Sequence, residues 1–252
     1  MAYLSGRRKK KRGIGRSESD ARLDIDLQKL KKAYAQLEQA HNDLKGSHVE
    51  LILNLAVAAE CRDADTGSHI LRISDYATEV ARELGLPEED IEILRYASPM
   101  HDIGKIGIPD SILQKPGKLT PEEWEVMKQH TLIGARIFQN SQSPVLRAAS
   151  EIALTHHEKY DGSGYPRGLK GESIPLFGRI VALVDVFDAV LSKRCYKSAV
   201  SFKDGLAYIK SISGTHLDPK LIEVFLRIED RVRAIYEANA AIQHFVNDFG
   251  AL

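Results

Sequence analysis

The chain has 252 residues, 43% of them hydrophobic and 28% charged, which suits one large domain with an appended segment. Its 35 basic and 35 acidic residues cancel at neutral pH, so the overall charge indicates neither nucleic-acid binding nor attachment to an anionic membrane. The two cysteines, Cys61 and Cys195, exclude a disulfide framework and a thiolate zinc site, and we expect both to be reduced. No apolar run approaches the roughly 18 residues of a membrane span, so we expect a cytoplasmic protein.

The N-terminal region has two parts. Residues 1–20 are rich in glycine, serine and charge, and we expect them to form a disordered basic tail. Residues 21–55 follow a heptad pattern, which predicts a coiled-coil or linker helix and, through it, a parallel homodimer. The alternative is a single amphipathic helix that packs on the domain behind it. The seam positions of the heptads are Leu23, Leu27, Leu30, Tyr34, Leu37, His41, Leu44, His48, Leu51 and Leu55.

Residues 56–252 show helical periodicity and no strand alternation. The helix that starts at Pro87 is expected to reach about Asp102, and Thr120 with Glu123 predicts a capping box at the start of another helix. The glycines and prolines of residues 161–175 predict one long irregular segment. We therefore expect an all-α helical bundle, which follows the N-terminal helix and ends in a C-terminal helix.

Histidines and aspartates recur along this domain at helical separations. They are His101, Asp102, His130, His156, His157 and Asp185. Neutral imidazole and carboxylate form the ligand set of borderline divalent metals such as Mn, Fe, Co and Zn. So many ligands exceed one tetrahedral site, and a bridging carboxylate would hold two ions about 3.5–4 Å apart, as in two-metal phosphoester hydrolases. The sequence therefore predicts more than one metal ion.

Two motifs carry a family resemblance. The first is His101-Asp102 with Lys105, and the second is His156-His157-Glu158 followed by the Asp-Gly-Ser-Gly-Tyr-Pro stretch of residues 161–166. Matching residues continue to about residue 215, and the chain resembles the HD-GYP subgroup of HD-domain phosphohydrolases. The resemblance implies an HD-domain bundle that hydrolyses cyclic di-GMP to pGpG and often GMP, by a metal-bridging hydroxide, with two or three Fe or Mn ions.

Carried over residue by residue, the resemblance implies that the six histidines and aspartates named above bind a metal pair, with Asp102 also catalytic. Some family members bind a third ion through a Glu-Thr-Gly-x-His segment, where this chain has Asp65 to His69. We expect Asp65 and His69 to bind that ion, although the shorter aspartate departs from the family pattern. The alternative is an N-terminal cap followed by an ordinary histidine.

The resemblance also implies a set of substrate contacts. Lys105 is expected to act in catalysis by stabilising charge on a substrate phosphate. The other expected substrate-binding residues are Gly164, Tyr165, Arg194 and Lys197. Asp188 is expected to orient a metal ligand or a nearby cation.

Three other functions remain open at this point. The first is a signalling adaptor, whose HD-GYP domain mainly binds partner proteins with weak or no catalysis. The chain would also suit a hydrolase of another cyclic dinucleotide such as cyclic GMP-AMP, or a broader nucleotidase. An intact set of metal ligands favours an enzyme over an adaptor, because an adaptor does not need the ligands.

Overall fold

A computed structural model of the protein describes residues 18–60, 67–192 and 200–238. The chain divides into two units, with the boundary between His48 and Val49. Helix α1, Glu18–Glu60, includes the whole predicted 21–55 helix and begins inside the predicted tail, whose residues 1–17 lie outside the described part. In the first unit, seam leucines such as Leu30 and Leu37 are 66% and 68% exposed in the part of the chain that the structure describes.

The second unit is built from helices, as expected from the sequence. They are α2 Gly67–Glu83, α3 Glu88–Ala97, α4 Asp110–Leu113, α5 Pro121–Met127, α6 Gln129–Ile137, α7 Pro144–Thr155, α8 Leu176–Leu191, α9 Phe202–Ser211 and α10 Pro219–Arg227. Residues 229–238 are also helical, and short 3₁₀ segments occur at Ser98–Met100, Ile103–Gly107 and Gly171–Ser173. Within the described ranges there is no strand, and the all-α prediction is confirmed. No described helix is both long and apolar enough to cross a bilayer.

The core surrounds helix α8. Phe187 on this helix makes edge-to-face contacts with Tyr76 on α2 at 5.9 Å and with Phe225 on α10 at 4.8 Å between ring centroids. Helix α8 is apolar on nearly all sides, which is typical of a helix that is packed on all sides. It nevertheless contains Asp185 and Asp188, and carboxylates at such a position require charged or hydrogen-bonding partners.

One helix boundary differs from the prediction, and the difference shapes the site. Helix α3 ends at Ala97 instead of near Asp102, because Pro99 lacks the N–H that an α-helix needs there. The chain continues through two 3₁₀ segments, so His101 and Asp102 lie in the turn between them. The capping box predicted at Thr120 is confirmed, since Glu123 N–H donates to the Thr120 hydroxyl at 3.3 Å and Thr120 N–H donates to the Glu123 carboxylate at 2.7 Å.

Candidate metal centre

Close packing of the Ile103–Gly107 segment on helix α6 places His101 and Asp102 beside His130. The contact requires Gly104, because a Cβ at this position would overlap the carbonyl oxygen of His130. His156 caps the C-terminal end of α7 and His157 follows it, while Asp185 comes from α8. Residues from four parts of the sequence therefore converge on one buried point.

The candidate ligands form two groups, each with ligand atoms within 4.8 Å of one another. The first group is Asp102, His130, His156 and His157, and the second is His69, His101 and Asp185. Asp102 faces both groups: its Oδ1 lies 3.3 Å from His130 Nε2 and 3.4 Å from His156 Nε2, and its Oδ2 lies 3.5 Å from His101 Nε2. In the second group, Asp185 Oδ1 lies 3.6 Å from His69 Nε2 and 3.9 Å from His101 Nε2.

The structure thus brings together all six residues predicted for the metal pair. His69, predicted for a third ion, joins His101 and Asp185. Its predicted companion Asp65 lies outside the described residues.

The hydrogen bonds of the imidazoles leave their other nitrogens free to face the centre. Nδ1 of His101 lies 3.0 Å from the Ser98 carbonyl oxygen, and Nδ1 of His130 lies 2.7 Å from that of Met127. Since a carbonyl can only accept, each Nδ1 carries the proton and each Nε2 keeps its lone pair.

Four of the atoms that face the centre are buried and have no hydrogen-bond partner among the described residues. They are the Nε2 atoms of His101, His130 and His156 and the Oδ1 atom of Asp102. A buried polar atom without a partner is costly, and divalent ions at the centre would satisfy all four. The donor set therefore fits a metal centre.

The electrostatics of the centre favour the neutral form of three of its imidazoles, which is the form that binds metal. Burial lowers the pKa of His101 to about 4, and it also lowers the pKa of His130 and of His157. Burial would raise the pKa of Asp102, but the Lys105 ammonium and the surrounding imidazoles hold it well below its usual range. Burial lowers the pKa of His156 as well, but the Asp102 carboxylate outweighs burial and raises this pKa above its ordinary value. A proton and a metal ion would compete for that nitrogen.

A buried ion pair between Arg72 and Asp188 lies behind the second group, and only Asp188 was given a role from the sequence. Asp188 accepts hydrogen bonds from Arg72 Nε at 2.6 Å and Nη2 at 2.7 Å, and its Oδ2 lies 2.7 Å from His69 Nδ1. Burial would raise the pKa of Asp188, yet its bonds with Arg72 and His69 keep that pKa below its usual value. Arg72 was not singled out from the sequence, although its spacing of three from His69 places both on one face of α2.

The irregular segment after α7 forms one wall of the site. Tyr165 stacks on His157, with ring centroids 4.8 Å apart and an interplanar angle of 29°. Gly164 lies so close to the backbone of Glu158 and Lys159 that a Cβ would overlap both.

Glu158 is part of the second sequence motif, but its structural role was not predicted from the sequence. Its buried carboxylate accepts the backbone N–H of Arg167 at 2.7 Å and of Leu169 at 2.9 Å. This side chain ties the segment that contains Tyr165 to the residue next to His157. The available signal was its position directly after the histidine pair.

Of the three basic residues predicted to contact the substrate, the described part of the chain includes Lys105. Lys105 Nζ lies 2.7 Å from Asp102 Oδ2, at the edge of the first group. Arg194 and Lys197 lie outside the described residues, as do both cysteines.

A family model described as HD domain matches residues 46–221 of the chain. Solved structures agree on the fold. A cyclic GMP-AMP-specific phosphodiesterase of Vibrio cholerae superposes with a TM-score of 0.56 at 23% identity, over 72% of this chain and 48% of that one. An HD-GYP-type protein of Bdellovibrio bacteriovorus gives a TM-score of 0.53 at 20% identity, over 74% and 61%.

Curated relatives are similar at the level of sequence. A cyclic di-GMP phosphodiesterase of Thermotoga maritima is 44% identical over 214 residues, which are 83% of this chain and 58% of the relative. One of Vibrio cholerae is 47% identical over 79% of this chain and 43% of the relative. A 3′3′-cGAMP-specific phosphodiesterase of the same organism is 45% identical over 77% and 37%. The chain thus spans about half the length of these relatives.

Proposed function

The chain is a member of the HD-domain family, in its HD-GYP group, and from that premise we propose that it is a metal-dependent phosphodiesterase. Its proposed substrate is cyclic di-GMP, and its proposed products are pGpG, GMP or both. The observation that supports this proposal most is the convergence of two groups of candidate ligands on Asp102. Relatives named as cyclic di-GMP phosphodiesterases support the substrate. Since this substrate is a second messenger inside bacteria, the proposed site of action is the cytoplasm.

In this proposal the first group, Asp102, His130, His156 and His157, holds one divalent ion, and His101 and Asp185, together with Asp102, hold another. Fe and Mn suit such mixed imidazole and carboxylate ligands. Ions held there would supply Lewis acidity, which would lower the pKa of bound water and neutralise phosphate oxygens. Asp65 is proposed to join His69 in holding a third ion.

The side chains around the ions are proposed to bind and orient the substrate. Lys105 provides a positive charge beside Asp102, where a phosphate oxygen gains negative charge as the diester breaks. Arg194 and Lys197 are proposed to hold the second phosphate, Arg194 by bidentate contacts. Tyr165 and Gly164 form the wall that limits where the substrate can lie.

Cyclic GMP-AMP is the second candidate substrate. A relative at 45% identity is named as specific for 3′3′-cGAMP, close to the identity of the relatives named for cyclic di-GMP. The two molecules share the two phosphodiesters and differ in one base. A direct comparison of the two as substrates therefore separates the candidates.

The exposed seam of α1 supports a parallel homodimer. Leucines and a tyrosine at heptad spacing are exposed from Leu23 to Leu44, and most of the residues between them are polar or charged. A second copy would bury this stripe, and it would bring two catalytic domains into one assembly. Signalling proteins are the other proposed class of partner.

The test uses the full chain, purified anaerobically and loaded with Fe(II) or Mn(II). We expect two or more ions per chain, turnover of cyclic di-GMP followed by chromatography, and loss of both in Asp102→Ala. Asp230→Ala, at an exposed position, is the matched control and should keep its metal content and its turnover. Loaded protein that leaves every cyclic dinucleotide intact, while an active relative works beside it, would refute the proposal.

A further inference from the structure

Trp124 is the single tryptophan of the chain, and it lies on helix α5 beside the site. Its indole is 45% exposed and makes an edge-to-face contact with Tyr165, with centroids 5.9 Å apart. Tyr165 in turn stacks on His157 of the candidate metal centre. Isolated exposed hydrophobic side chains are common on proteins. This one is set apart because two ring contacts connect it to a candidate ligand.

Helix α5 is held firmly in place. The capping box at Thr120 fixes its first turn, and Lys115 binds both carboxylate oxygens of Glu123 at 2.8 and 2.6 Å. At its other end, the Met127 carbonyl oxygen accepts the Nδ1 proton of His130. The backbone that carries the indole is therefore held in place relative to the metal ligands, which reduces the entropy that ligand binding would cost.

We propose that Trp124 is a stacking platform for one purine base of the cyclic dinucleotide. The inference rests on the proposed function, because a phosphodiester at the metal centre places its nucleoside beside the site. Indole offers a broad π-face, and stacking of a base on it is a common means of binding nucleotides. Lys128 lies 5.9 Å from the centre of the Tyr165 ring and is paired with Glu125 at 2.8 Å, so a cation already borders this aromatic surface.

This role has a defined consequence for specificity. Every base has a π-face, so stacking favours a purine nucleotide over a base-free phosphodiester without distinguishing guanine from adenine. Trp124 would then set the affinity for cyclic dinucleotides as a class. The choice between cyclic di-GMP and cyclic GMP-AMP would depend on other residues.

The single tryptophan makes the proposal directly measurable by fluorescence. The Mn-loaded full chain is mixed with cyclic di-GMP in a stopped-flow instrument, and emission is followed before turnover. We expect saturable quenching, together with protection of the indole from acrylamide. Dimethyl phosphate, a phosphodiester that has no base, should cause neither effect. Binding is measured in parallel by calorimetry, which does not depend on the indole.

Variants of Trp124 test the proposed stacking contact through their affinity for cyclic di-GMP. Trp124→Leu keeps an apolar side chain but removes the ring, and we expect it to weaken binding and raise KM by about 5-fold to 100-fold. Trp124→Phe should recover most of this loss. Val126→Ala on the same helix removes an exposed apolar group and is the control that should bind normally.

The outcomes separate the two proposals. If calorimetry detects binding but the emission and acrylamide access do not change, the stacking role is wrong while the phosphodiesterase proposal stands. Equal affinity of Trp124→Leu and the unchanged protein would also overturn the stacking role. If no cyclic dinucleotide binds or is hydrolysed, both proposals fail.

Discussion

At the scale of single residues, the candidate metal centre depends on side chains that are not themselves candidate ligands. Asp188 receives two hydrogen bonds from Arg72 and one from His69, and it lies in a fully buried position. A carboxylate there fixes His69 with its proton on Nδ1, so that Nε2 is directed toward Asp185 and His101. The arrangement also neutralises the guanidinium of Arg72.

We predict that Asp188→Asn weakens metal binding by about 10- to 100-fold, the usual effect of losing such an outer partner. It should also lower the free energy of unfolding by on the order of 3 kcal/mol, because Arg72 is left without its anion. Metal titration and denaturant unfolding measure the two effects. Glu83→Gln, which breaks an exposed ion pair with Arg227 and Arg231, is the control and should change neither. Normal metal affinity in Asp188→Asn would contradict the positioning role.

Glu158 fixes the segment that contains Tyr165, and its substitution tests that role. In Glu158→Gln one of the two acceptor oxygens becomes a donor, so one of the two amides, of Arg167 or Leu169, loses its partner. We expect hydrogen exchange of these two amides to accelerate by about tenfold or more, from the cost of a buried group left unpaired. Glu172→Gln, in the same segment but on an exposed pair with Lys220, should leave their exchange unchanged. Unchanged exchange in Glu158→Gln would show that other contacts hold the segment.

At the scale of elements, the site is made by the approach of a 3₁₀ segment to helix α6. The approach is possible because Gly104 has no side chain at the point where it meets the backbone of His130 and Gly134. Any Cβ would push the segment away from α6, and with it His101 and Asp102. The metal centre and the packing of these elements are therefore coupled.

We predict that Gly104→Ala lowers the free energy of unfolding by about 1–3 kcal/mol or more, as overpacking does in other cores. Metal content per chain should fall in the same variant, because two candidate ligands shift together. Gly46→Ala makes the same change on α1, where no atom lies within 4 Å of the added Cβ, and it should lower neither quantity. Full metal content in Gly104→Ala would mean that the ligands do not depend on this contact.

At the scale of the whole molecule, we propose that the exposed seam of α1 sets the oligomeric state. We expect light scattering to give a dimer for the full chain at tens of micromolar, and a monomer after Leu30→Asp and Leu37→Asp together. Gln28→Asp and Ala35→Asp introduce the same residues outside the seam and should leave the dimer intact. A monomeric full chain, unchanged by deletion of residues 1–50, would count against the coiled coil.

The sequence by itself determined the fold class and the types of ligand. Helical periodicity and the cap at Thr120 are local patterns, so they predict helices without knowledge of the partners. The candidate metal ligands were likewise predicted from residue type, since histidine and aspartate retain their metal preferences in any fold. Their convergence at one point agrees with the prediction, while their role as ligands stays a proposal.

Only the tertiary structure decided how these groups combine. The sequence paired His69 with Asp65 only, and it is packing that also sets His69 beside His101 and Asp185. Arg72 and Asp188 pair across 116 residues, and no local pattern specifies such a contact. The end of α3 at Ala97 likewise places His101 and Asp102 in a turn. The reason is physical: periodicity shows which face of a helix is buried, but the partner of a buried charge depends on how whole elements meet in space.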